Sequence, residues 1–302
     1  MTEHHHLHRP TRFRPAKPPS LFTALGPMPF LLALAAIVTL LAAVSSSRLF
    51  DSAAASAEKD AEMDRQARSE LLTLGWAPRG ELVPGVERLV AERPFHVQLA
   101  HGTVEGRVPS NAKLARAEAV LTRELARYPA GFLARVHLRR VLFCEDLEEA
   151  KKPIPSLPNH AATLLVDVDA GEAFLSRLVH HEVFHFLDFA DDRLVTRDPD
   201  WERLNVPDFR YEGGGRTVRE PSATDPDGGP PGFVTRYATA ALEEDKAELF
   251  SWLMSDPALV AARAGADAVL RAKVFRLDAL VTKFVPRPYV WLLPAADAPL
   301  GK

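Results

Sequence analysis

Residues 177–189 read RLVHHEVFHFLDF. Apolar side chains fill the stretch except for three histidines, a glutamate, an aspartate and its leading arginine. Its length and continuity, with the flanking GEAFLS before it, predict one long buried helix over 171–190. Desolvating a glutamate and several histidines without partners is expensive. A helix that buries them needs something to compensate.

His181 and His185 stand four residues apart, which on a helix puts both imidazoles on one face, one turn apart. That is the arrangement for two nitrogens on one zinc ion. Glu182 lies between them, at the flank, where a carboxylate can accept a proton from water. The five residues His181-Glu182-Val183-Phe184-His185 form an HExxH pattern. Short motifs occur by chance, and the apolar setting of Leu178, Val179, Val183, Phe184, Phe186 and Leu187 is what makes this one specific. His180 faces elsewhere and reads as a packing residue or a support to the ligands.

A catalytic zinc takes a third protein ligand and keeps one position open. Asp188 and Asp191 are local candidates. A ligand six residues after the second histidine requires a sharp glycine turn, however, and position 188 holds aspartate. The other candidate lies downstream in TRYATAALEEDKAELFSWL, residues 235–253. Glu244 and Glu248 are again four apart on a predicted helix, so Glu248 could accept a hydrogen bond from the outer nitrogen of a ligating histidine. Ala247 would let two helices approach closely. An acidic solvated face, with Glu243 and Asp245 added, fits the same letters equally well.

Around these segments the chain reads as α+β. Helical spacing marks 111–128 (Leu114, Ala117, Leu121, Leu125), 240–254 and 266–284. Residues 137–147 and 160–170 read as strands. Between the first catalytic-type helix and the second, roughly 191–236, lies a long Gly- and Pro-containing region of the kind that is usually functional.

The N-terminus carries a different signal. Met28 to Val44 is uncharged and apolar, at the short limit of the about 17–25 residues of a membrane-spanning helix. Arg9, Arg12, Arg14 and Lys17 precede it, and acidic residues dominate just after it. Basic residues stay cytoplasmic, so the bulk of the chain is expected outside the membrane: a tail over 1–27, an anchor over 28–47, a stalk over 48–81 and a folded domain over 82–302. Cleavage near Val44–Ser47 would instead release a secreted protein. His4, His5, His6 and His8 read as a solvated tail.

The 302 residues suffice for one large domain. The net charge of −3 offers no basic stripe for nucleic acid. A single cysteine, Cys144, excludes an intramolecular disulfide and reads as a small core residue.

HEVFH together with TRYATAALEEDKAELFSWLM resembles the catalytic domain of the anthrax lethal factor type of zinc metallopeptidase. It is more similar still to bacterial proteins described only as zinc-binding metallopeptidases. The similarity spans roughly 110–285 and is specific at the two helices. It implies a zincin-like α+β domain, with a small mixed sheet packed on an active-site helix and a C-terminal helical part. It implies Zn2+ held by His181, His185 and Glu244, with Glu182 as general base. Tyr237, seven residues before Glu244, would stabilise the oxyanion, and Glu248 would support a ligating histidine. The substrate would be a peptide or protein, and the segment TLLVDVD would pair with it as an added strand. With the N-terminal segment, the expectation is a membrane-anchored, externally facing zinc endopeptidase. A non-catalytic binding module and a hydrolase of non-peptide amides are the alternatives.

Overall fold

The structure, a computed structural model, describes residues 53–99, 102–159, 162–215, 218 and 224–285. The expected cytoplasmic tail and membrane segment lie outside the described residues. No helix among the described residues is long and apolar enough to cross a membrane.

Helix α1 (Ala53–Leu74) leads into strands β1 (Trp76–Val83), β2 (Val86–Ala91), β3 (Phe95–Leu99) and β4 (Gly102–Arg107). Helices α2 (Asn111–Leu125) and α3 (Phe132–Arg135) follow, then β5 (Arg140–Glu149), β6 (Lys152–Pro153), β7 (Ser156–Asn159) and β8 (Thr163–Asp167). The rest is helical: α4 (Glu172–Asp192), α5 (Pro199–Glu202), α6 (Leu242–Ser255), α7 (Pro257–Ala266) and α8 (Ala268–Val281). The α+β class expected from the sequence therefore holds, with one open mixed sheet.

The sheet is organised by β5. Its first half, Arg140–Phe143, lies parallel to both β2 and β8, while its second half pairs antiparallel with β4 and β6. The change of partner coincides with Asp146, which adopts φ 53, and with a register shift opposite Glu105–Arg107. A strand parallel to neighbours on both edges is normally covered on both faces and apolar throughout, and Val141-Leu142-Phe143-Cys144 has that character. Val141 and Phe143 face a cluster that includes Leu121 of α2, Phe184 of α4 and Phe250 of α6. Leu142 and the buried Cys144 face a second cluster with Leu71 of α1 and Trp76.

The strand read at 137–147 begins at Arg140 because His137 turns the chain at φ 66. Position 82, the expected start of the folded domain, falls inside β1. Sheet pairing already begins at Trp76, and α1 is fastened to it: Arg68 forks onto Glu87, and the buried Arg140 pairs with Asp64. Of the stretch read as stalk, 53–74 is helical and 76–81 belongs to β1, and the C-terminal half of the helix packs against the sheet. The tight β1–β2 connection is made by Pro84-Gly85, where Gly85 takes φ 83, a conformation that favours glycine.

The 191–236 region is held from below by a buried charge. Asp245 on α6 accepts hydrogen bonds from Trp201 Nε1, Tyr211 Oη and Lys273 Nζ, each at 2.8 Å. The Lys273 ammonium also sits 3.6 Å from the Phe233 ring centroid. Removing one partner of such a pair strands the other. Asp245→Ala is therefore expected to destabilise the fold by about 3–5 kcal/mol, and a second change, Lys273→Met, to restore most of it. Urea unfolding of the single and double variants measures both effects.

Candidate metal centre

Helix α4 sets the geometry. Its C-terminus is capped by Arg193 in the left-handed region, with its N–H bonded to Phe189 O, so the helix runs unbroken through Asp188 and Asp191. Asp188 is engaged by Lys246 Nζ at 2.9 and 3.1 Å, and Asp191 by Lys283 Nζ at 2.8 and 2.7 Å. The local candidates for a third ligand are thus tied up by lysines and are not part of the cluster that contains the histidines.

Helix α6 packs against α4, and its Ala247 is fully buried. This brings Glu244 to the histidines. His181 Nε2 lies 3.0 Å from Glu244 Oε2 and 3.0 Å from His185 Nε2, and His185 Nε2 lies 3.6 Å from Glu244 Oε2. Three donors at about 2.0–2.1 Å from a tetrahedral ion stand roughly 3.3 Å apart, so the triangle has the size the ion needs. Two imidazole nitrogens pointing at each other also need a shared cation or proton between them. Among the described residues, a second cluster, the three acids Glu145, Asp146 and Asp169, has no histidine and is bridged by Arg107 and Lys113.

The supporting bonds fix each group. His181 Nδ1 lies 2.9 Å from Glu248 Oε1, which leaves Nε2 directed at the centre. Glu248 Oε2 accepts in turn from Thr235 Oγ1 at 2.8 Å, and that hydroxyl also accepts from Ala238 N in the short turn Tyr237–Thr239. Tyr237, Glu244 and Glu248 are therefore held as one unit. Ser156 Oγ of β7 donates to Glu182 Oε1 at 2.6 Å, while Glu182 Oε2 is buried with no partner among the described residues. One carboxylate oxygen is anchored and the other carries no hydrogen bond among the described residues.

Burial disfavours charge on His181, but the adjoining Glu244 and Glu248 outweigh it and push its pKa up to about 10. Burial likewise opposes a charged Glu244, yet its bonds to His181 and His185 hold it well below the usual carboxylate range. Burial, reinforced by the neighbouring carboxylates of Glu244, Glu248 and Glu182, pushes the Tyr237 phenol well above its ordinary value. Tyr237 thus stays a hydrogen-bond donor at neutral pH.

These residues line a cleft of about 610 Å³, a size typical of ligand sites. Its walls include Ile154, Leu157, Phe174, Leu178 and Val218. Gly215 covers one side so closely that a Cβ there would come within 2.4 Å of Glu244 Oε1 and 2.5 Å of Tyr237 Oη. A larger residue there would push Glu244 and Tyr237 out of place, so glycine suits the position by its size and not by its backbone angle.

The structure brings His181, Glu182, His185, Tyr237, Glu244 and Glu248 into one site. His180 points away, with Nδ1 2.8 Å from Tyr128 Oη and Nε2 3.2 Å from Glu124 Oε2. Ser156, Thr235 and Gly215 were not picked out by sequence reasoning. The run Gly213-Gly214-Gly215 was the visible hint for the last; Ser156 carried no local signal. The strand expectation also needs correction. TLLVDVD forms β8, which is flanked by β5 on one edge and β7 on the other, so its backbone groups are taken. β7 is the edge strand beside the cleft, and Pro158, which lacks an N–H, suits an edge.

Comparison with known protein families, with curated proteins and with solved structures returns no match. The case for function rests on these residues.

Proposed function

We propose that the chain is a zincin-like zinc metallopeptidase. The observation that carries this reading is the His181–His185–Glu244 triangle, sized for a tetrahedral ion, with the unpartnered Glu182 Oε2 buried beside it. His181, His185 and Glu244 would hold Zn2+. When bound, the ion supplies Lewis-acid polarisation of water and of a carbonyl oxygen.

The chain's own groups supply the rest. Glu182 Oε2 takes the proton of the attacking water and later hands it to the leaving amine, while Ser156 keeps the carboxylate in one orientation. The Tyr237 hydroxyl donates to the carbonyl oxygen as negative charge builds there. An extended peptide would lie along the edge of β7, adding a strand to the sheet, with its side chains against the apolar walls of the cleft. The domain would be attached to the membrane by the segment before it and act on external peptides or proteins.

A peptide-library digest with the zinc-loaded full chain tests this reading. New termini are expected in mass spectra, disappearing with a chelator and returning with zinc. A chain that binds one zinc and cleaves no peptide would sink the peptidase assignment. It would favour a binding module, or a hydrolase of non-peptide amides if such amides are turned over.

A further inference from the structure

One charged residue in the cleft has no use in the chemistry above. Arg177 lines the cleft one helical turn before His181, on the same face of α4. Four residues of helix rise about 6 Å, the span of roughly two residues of extended peptide.

The described residues around it hold it without neutralising it. The guanidinium carbon lies 4.7 Å from the Trp252 ring centroid and 5.5 Å from that of Phe174. Nη2 donates to Thr224 Oγ1 at 2.8 Å. Among the described residues no carboxylate pairs with Arg177. Of the acidic side chains that line the cleft, Glu182 is bonded to Ser156, and Glu244 and Glu248 to His181, and neither these nor Glu149 forms an ion pair with Arg177. A half-buried guanidinium beside two aromatic rings, with no carboxylate paired to it among the described residues, is a site for a carboxylate, which its planar fork can bind with two parallel hydrogen bonds.

We propose that Arg177 makes this cleft selective for substrates that carry a carboxylate within about two residues of the scissile bond. The carboxylate can be an aspartate or glutamate side chain or the C-terminus of the peptide. The inference rests on the metallopeptidase reading for the word substrate, and on Arg177 alone for the selectivity. Arg177 is thus a specificity-determining residue, and the neighbouring apolar walls receive the adjoining side chains.

The test separates binding from turnover. The full chain carrying Glu182→Gln, loaded with zinc, is titrated into fluorescein-labelled versions of one short apolar peptide. One version is amidated, one is amidated with a single internal glutamate, and one has a free C-terminal carboxylate. Carboxylate-bearing peptides are expected to bind about 10–100-fold tighter than the neutral one, from anisotropy. Tighter binding of the glutamate version identifies a side-chain carboxylate as the ligand, and tighter binding of the free acid identifies the chain terminus. Adding Arg177→Gln should remove the preference while zinc content stays at the parental level; Arg177→Lys should keep part of it. A preference that survives Arg177→Gln, or no preference or binding in the parent, overturns the inference. Preference without cleavage by the unsubstituted chain refutes the peptidase reading and leaves the Arg177 assignment standing. Cleavage without preference does the reverse.

Discussion

Glu182→Gln is expected to keep its zinc and lose peptide hydrolysis by about 10²–10⁴-fold, the usual contribution of a positioned general base. Glutamine has nearly the same shape, and its amide oxygen can still accept from Ser156 Oγ, which holds Glu182 Oε1 at 2.6 Å. The change falls on the other atom. Oε2, buried and without a partner among the described residues, becomes an amide nitrogen that cannot take a proton. The three proposed donors, His181, His185 and Glu244, are untouched. Metal content by mass spectrometry, thermal unfolding and initial rates on one cleaved peptide measure the three quantities together. Zinc retained, fold retained and rate lost assigns the proton transfer to Glu182. Cleavage at the parental rate removes Glu182 from the chemistry.

Glu244→Ala is expected to cost zinc affinity more than the loss of a supporting partner does. Replacing Glu248, which only orients His181, should cost about 10–100-fold. Replacing Glu244 deletes a donor that stands 3.0 Å from His181 Nε2 and 3.6 Å from His185 Nε2, leaving a two-nitrogen site. Competition with a chromophoric chelator ranks the parent, Glu248→Ala and Glu244→Ala. Parental affinity in Glu244→Ala would overturn the ligand assignment.

The metal-free chain adds a pH signature to this comparison. His181 is raised from 6.5 to about 10 in the fold, so its ion pair with Glu244 contributes fully below about 6.5 and fades as pH rises through about 10. Glu244 is depressed from 4.5, so its contribution is present above about 4.5 and is lost as pH falls below that value. The metal-free Glu244→Ala variant should therefore be destabilised most between about pH 4.5 and 6.5, and progressively less toward pH 10. Urea unfolding across that range reads the difference.

The sequence by itself determined the local parts of this protein. Periodicity marked α4 and α6, and a spacing of four placed His181 with His185, and Glu244 with Glu248, on single helix faces. Those relations follow from helix geometry and need no partner. The α+β class was legible for the same reason, although β1 to β4, β6, β7, α3, α5 and α7 were not assigned. Their runs are short and mixed, as in Trp76-Ala77-Pro78-Arg79, and the sheet holds the strands mainly through non-local pairing. The Asp256-Pro257 start of α7, whose aspartate accepts from Leu259 N, was a readable cap that went unused.

Only the tertiary structure decided which acid joins the histidines. Asp188, Asp191 and Glu244 are all plausible by residue type. The packing of α6 against α4 selects Glu244, while Lys246 and Lys283 occupy the other two. Packing likewise decided that β7 and not β8 borders the cleft, that Ser156 orients Glu182, and that Gly215 covers Glu244 and Tyr237. Each of these joins residues far apart in the chain, where periodicity carries no information and side-chain volume and hydrogen-bond partners set the distance.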